Sequence, residues 1–112
     1  MTDLRLPQAT KAHADLRRNL APGPEGAFKD FAKAVFAEGA LGTRNKQLIA
    51  VAVAHVTQCP WCIESHVKAA RHAGASREEI MEAIWVAAEM RAGAALAHSV
   101  KTLELLKDEE AG

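Results

Sequence analysis

Within the stretch "TQCPWCIESH" lie Cys59 and Cys62, the chain's two cysteines, with His66 four positions after the second. A C-x-x-C pair can open and close a disulfide, lend two ligands to a metal, or sit as two small buried apolar side chains. Pro60 bears on the choice, because its missing N–H and fixed φ suit the first position of a helix. Cys59 then falls at the N-cap and Cys62 in the first turn, near unpaired amide donors and the positive end of the helix dipole. Sulfur gains there as thiolate. A free cysteine titrates near ~8.5, and such a site with a cationic neighbour moves thiolate into the neutral range. His66 can be that neighbour: at ~100° per residue it lies about 40° from Cys62, on the same helix face. The spacing also lets the two Cα atoms come within the about 4.4–6.8 Å that a disulfide tolerates.

The metal reading takes Cys59, Cys62 and His66 as three ligands, with His55 as the fourth. A closed zinc site wants four, and no second Cys or His pair at finger spacing follows. Glu64, about 200° from Cys62, belongs to a solvated face. Glu89, which interrupts "IWVAAEM", serves a pocket, a subunit contact or a partly exposed helix face. Trp61 either shields the sulfurs or offers a docking surface. His13, His72 and His98 carry no spacing signal.

The elements that must hold these residues read as helices throughout, since no alternating stretch is backed by paired turn chemistry. A first helix is expected over 8–20, broken by "APGPEG", and a second over 24–38 with an apolar stripe of Phe28, Phe31, Ala32, Val35 and Phe36. Thr43 can cap a third, "RNKQLIAVAVAHVTQ", apolar almost all round in its later turns and therefore central. A fourth starts at the cysteine motif and ends near Gly74. "SREE" is a capping box, Ser76 with Glu79, for a fifth. A bend near Gly93, a last helix to about Leu106 and a frayed tail complete the expectation: an all-α bundle of five to six helices.

The 112 residues, 49% hydrophobic, allow one domain over 1–112 and no more. Fourteen basic residues balance fourteen acidic ones, so no net field draws the chain to nucleic acid or an anionic membrane. The longest apolar run, "LIAVAVA", is far below the ~20 residues of a membrane span, and the N-terminus lacks a secretory signal. A cytoplasmic location follows as the default, where a close cysteine pair is redox-active, metal-binding or reduced. Small residues on many helix surfaces point to subunits that pack together.

Lys46 to Ala88, with "RAGAALAH" continuing it, resembles the alkyl hydroperoxidase D-like branch of the carboxymuconolactone decarboxylase family, with a motif core over 44–100. A buried helix leading into C-x-x-C-x-x-x-H, then "AGAS" with acidic residues and an alanine-rich helix, carries the resemblance. It implies an all-helical homo-oligomer, a trimer or hexamer, in which Cys59, Cys62 and His66 are catalytic in peroxidase or disulfide chemistry. It also implies no bound cofactor or metal, a hydroperoxide or disulfide substrate, and a dithiol-donating protein, of lipoyl type, as reductant. Members of the branch place a relay glutamate twelve residues before the first cysteine; here that position is Gln47. A carboxamide orients by hydrogen bonding but cannot exchange a proton near neutral pH, so that relay cannot run unchanged. His55, on the i, i+4, i+8 stripe with Gln47 and Val51, is the candidate substitute. Alternatives remain: a family-fold decarboxylase acting on a small organic acid or lactone, or a non-enzymatic redox-sensing oligomer.

Overall fold

The computed structural model describes residues 6–111, and every regular element among them is an α-helix. In chain order these are α1 (Lys11–Leu20), α2 (Pro22–Phe36), α3 (Thr43–Thr57), α4 (Pro60–His72) and α5 (Arg77–Ala111). They gather into two compact units, one ending at Gly42 and the other beginning at Thr43. None of the described helices is long and apolar enough to cross a membrane.

The first unit is a helical hairpin. Its start is set by Thr10, whose hydroxyl accepts the His13 amide while the His13 ring accepts the Thr10 amide, so α1 begins three residues later than expected. The predicted break "APGPEG" shrinks to Ala21 alone, which ends α1 and starts α2. Pro22 and Pro24 fit the first turn of a helix, where no amide donor is needed, so they open α2 instead of interrupting the chain. Arg17 on α1 grips Glu25 on α2 at 2.7 Å. That guanidinium holds the Glu25 carboxyl below its usual range. The expected stripe on α2 forms, but Phe28, Phe31 and Val35 remain exposed.

In the second unit α3 is central, packed on both α4 and α5. Its inner face carries Gln47, Val51 and Ala54 at i, i+4, i+7 spacing. Val51, Ala70, Ala75 and Ile80 form the core, with Leu48, Val67 and Ile84 packed around it. Burying Val51 completely is worth roughly 2 kcal/mol. The outer face of α3, with Ile49 and Val53, stays half exposed.

α4 ends as its glycine foretold. Gly74 takes φ 98°, its amide bonds the Arg71 carbonyl, and the Ala75 amide reaches back to Ala70 at 2.9 Å. This left-handed turn swings the chain into Ser76 and Glu79, which exchange both bonds of the capping box at 3.0 and 2.8 Å. Beyond it, two expectations fail. α5 runs unbroken through Gly93, and the expected frayed tail is helical to Ala111. A glycine inside a helix costs only about 1 kcal/mol against alanine, too little to break one flanked by "RA" and "AALA".

α3 and α5 run in the same direction. Arg44 pairs with Glu79 at 3.2 Å, and Arg91 donates to the Val56 carbonyl at 2.7 Å, so the offset along the two helices is equal at both contacts. At 1.5 Å per residue α5 continues roughly 30 Å beyond Arg91. Leu96, Val100, Leu103, Leu105 and Leu106 lie exposed along that extension.

Candidate active site

Cys59 belongs to two helices at once. Its amide donates to the Ala54 carbonyl at 3.1 Å, closing the C-terminus of α3 in the same six-to-one pattern seen at Gly74. The residue that turns the chain there is Gln58, at φ 58°, the left-handed position that glycine usually fills. One residue later Cys59 is the N-cap of α4: its carbonyl accepts from the Ile63 amide at 2.9 Å and its Sγ accepts from the Cys62 amide at 3.2 Å. Pro60 occupies the first helical position, as its chemistry requires.

Cys59 and Cys62, with Cα atoms 5.2 Å apart, are joined by a disulfide. Both are half-buried, and Trp61 between them is 41% exposed. The sulfurs sit at the positive end of α4, where a thiolate released by reduction meets amide donors.

His66, one turn further along α4, is half-buried, and its Nδ1–H donates to Gln47 Oε1 of α3 at 2.7 Å. Gln47 is 8% exposed, the buried polar side chain among the described residues. The bond crosses the α3–α4 interface and accounts for that burial, since an unmatched amide there would cost about 1–3 kcal/mol. Because an amide oxygen only accepts, Nδ1 is the protonated nitrogen in this pair.

The expected substitute for the relay, His55, does not take part in this pair. His55 Nδ1–H donates to the Val51 carbonyl of its own helix at 2.7 Å. Gln47 and His66 are brought together; His55 serves the backbone of α3. Glu64 is exposed and pairs with Lys68 at 3.0 Å. Glu89 is exposed as well.

Two features of the site were not read from the sequence. Gln58 hides its turn because nothing in a glutamine announces a left-handed backbone. Arg91 was legible: it continues the α5 stripe Ile80, Ile84, Ala87 at i+4 spacing, the face turned toward α3. Among the described residues, no group of three or more His, Cys, Asp or Glu is arranged to hold a metal.

Compared with known proteins, residues 22–105 match the carboxymuconolactone decarboxylase family. The chain belongs to that family. An uncharacterized protein of the cox locus of Paracoccus denitrificans is 60% identical over 108 residues, 96% of each chain. An uncharacterized protein of Cupriavidus necator is 33% identical over 73% of each. Among solved structures, a Methanobacterium thermoautotrophicum protein superposes with a TM-score of 0.71 at 37% identity, covering 75% of this chain and 94% of that one. The apo form of a carboxymuconolactone decarboxylase family protein from Legionella pneumophila gives 0.69 at 32% identity, with 87% of each covered. This member of the family thus combines an all-α fold with a disulfide at the start of α4.

Proposed function

We propose that the protein is a thiol-dependent oxidoreductase of the alkyl hydroperoxidase D-like branch, reducing a hydroperoxide or exchanging a disulfide through Cys59 and Cys62. The observation that carries this reading is the disulfide at the N-terminus of α4, one helical turn before a histidine whose ring Gln47 orients through Nδ1. In the reduced protein, Nε2 of His66 takes the proton of the Cys62 thiol, aided by the helix dipole. The thiolate attacks one peroxide oxygen and the O–O bond breaks. The alkoxide recovers that proton and leaves as alcohol, while Cys62 becomes a sulfenic acid. Cys59 then attacks the Cys62 sulfur; the S–O bond breaks, hydroxide takes the Cys59 proton and departs as water, and the disulfide closes. With a disulfide substrate the first attack gives a mixed disulfide, which Cys59 resolves. An external dithiol, of the lipoyl type, returns two electrons and two protons and becomes a disulfide itself.

The working form is a homo-oligomer, a trimer or hexamer as the family resemblance implies, and the apolar side chains that the second unit leaves exposed on α5 support association between copies. The test is stopped-flow oxidation of the reduced protein by hydrogen peroxide and by an organic hydroperoxide, with mass mapping of Cys59 and Cys62. Oxidation well above the rate of a free thiol is expected, falling at least about tenfold in His66→Ala. Rates no faster than free cysteine would defeat the peroxidase reading.

A further inference from the structure

The sulfur of Cys59 stands between two opposed helix ends. It caps the positive N-terminus of α4, yet its own backbone closes the C-terminus of α3, where the last turn's carbonyls carry the negative end of that helix's dipole. A thiolate at Cys59 is therefore favoured by one helix and opposed by the other. The side chain that reaches the opposing end is Arg91: from α5 its guanidinium donates to the Val56 carbonyl, in the last turn of α3, at 2.7 Å. That bond satisfies one terminal carbonyl and brings a permanent positive charge to the negative pole, three residues before Cys59.

We infer that Arg91 is a positioning residue for the redox pair: by capping α3 it removes the field that opposes charge on the Cys59 sulfur, and so favours the reduced state over the disulfide. The inference rests on the reading of Cys59 and Cys62 as a reversible redox pair, but not on peroxide being the oxidant. The parallel α3–α5 pair also supplies a control. Arg44 clasps Glu79 near the other end of the same two helices, so it joins them in a similar way without touching the turn that carries Cys59.

The experiment equilibrates the full-length protein with reduced and oxidised dithiothreitol at about pH 9, where a free cysteine is largely thiolate. Alkylation and mass measurement read the reduced fraction of wild type, Arg91→Met, Arg91→Lys and Arg44→Met. Arg91→Met is expected to move the equilibrium toward the disulfide by about 3- to 10-fold, a tenfold change being ~30 mV. Arg91→Lys, which keeps the charge, should recover most of the shift. Arg44→Met should lower thermal stability and leave the equilibrium within about twofold of wild type. Arg91→Met within twofold of wild type overturns the inference, and so does an equal shift in Arg44→Met, which would make the effect one of general helix packing. A wild-type protein that consumes no peroxide but still equilibrates sinks the peroxidase reading and leaves the Arg91 inference standing. A disulfide that dithiothreitol cannot open sinks both.

Discussion

At the scale of single residues the decisive partnership is His66 with Gln47. A glutamate at that position could share a proton with the ring; glutamine only orients it by accepting the Nδ1–H. Gln47→Glu restores the carboxylate with little change in volume, and peroxidase turnover at neutral pH should rise if proton delivery limits it. Steady-state assays with a dithiol donor measure this, and an unchanged rate assigns the limit elsewhere. Gln47→Leu should instead lower stability by about 1–3 kcal/mol, because it leaves the partly buried Nδ1–H without its acceptor; urea melts of both variants separate the two effects. The pairing was half legible. The C-x-x-C-x-x-x-H spacing placed His66, and the twelve-residue offset singled out Gln47, but their contact spans two helices whose register no local pattern states. His55 shared the stripe with Gln47 and was the candidate substitute for the relay; in the fold its Nδ1–H goes to the Val51 carbonyl.

At the scale of elements, two turns of one kind frame α4, and only one was visible beforehand. Gly74 declares a left-handed backbone; Gln58 adopts the same region with a side chain that disfavours it by ~1–2 kcal/mol. Gln58→Gly removes that cost but adds unfolded-chain entropy, so a net stabilisation of about 0.5–1 kcal/mol is expected in chemical denaturation. Destabilisation would mean that the Gln58 side chain makes a compensating contact. The start of α5 gives a prediction in pH. Glu79 lies below its usual value, first because it accepts the Ser76 amide and then because Arg44 is near. A depressed folded value contributes stability that is fully present above the unfolded value. It is lost as pH falls through the folded one. In Glu79→Gln the acid-side loss of stability should therefore be shallower than in wild type, read as thermal midpoints from neutral pH down to about 3. Ser76→Ala, which removes the other half of the box, should cost about 1 kcal/mol.

At the scale of the whole molecule the second unit falls short of covering its own apolar surface. Within the second unit, α5 outruns the two helices it packs with, and Leu96, Val100 and Leu103 follow one another along its free length at 73%, 68% and 59% exposure. Exposed leucines so close together on one helix are uncommon on a monomer and fit a contact between copies. Native mass spectrometry should find an oligomer, and Leu96→Glu with Leu103→Glu should shift it toward monomer while the helical signal in circular dichroism persists. A monomeric wild type would remove the oligomer from the proposed function.

The sequence by itself determined that the chain is helical, where α4 and α5 begin, and that two sulfurs and an imidazole share one helical end. These follow from neighbours a few residues apart: a proline at the first helical position, a Ser–Glu box, a glycine free of the left-handed penalty. Only the tertiary structure decided that Gln47 rather than His55 meets His66, that α5 passes Gly93 unbroken, and that Arg91 closes the end of α3 beside Cys59. Each of those depends on how helices distant in sequence are set against one another, a relation written in packing and buried hydrogen bonds instead of in any one segment's pattern.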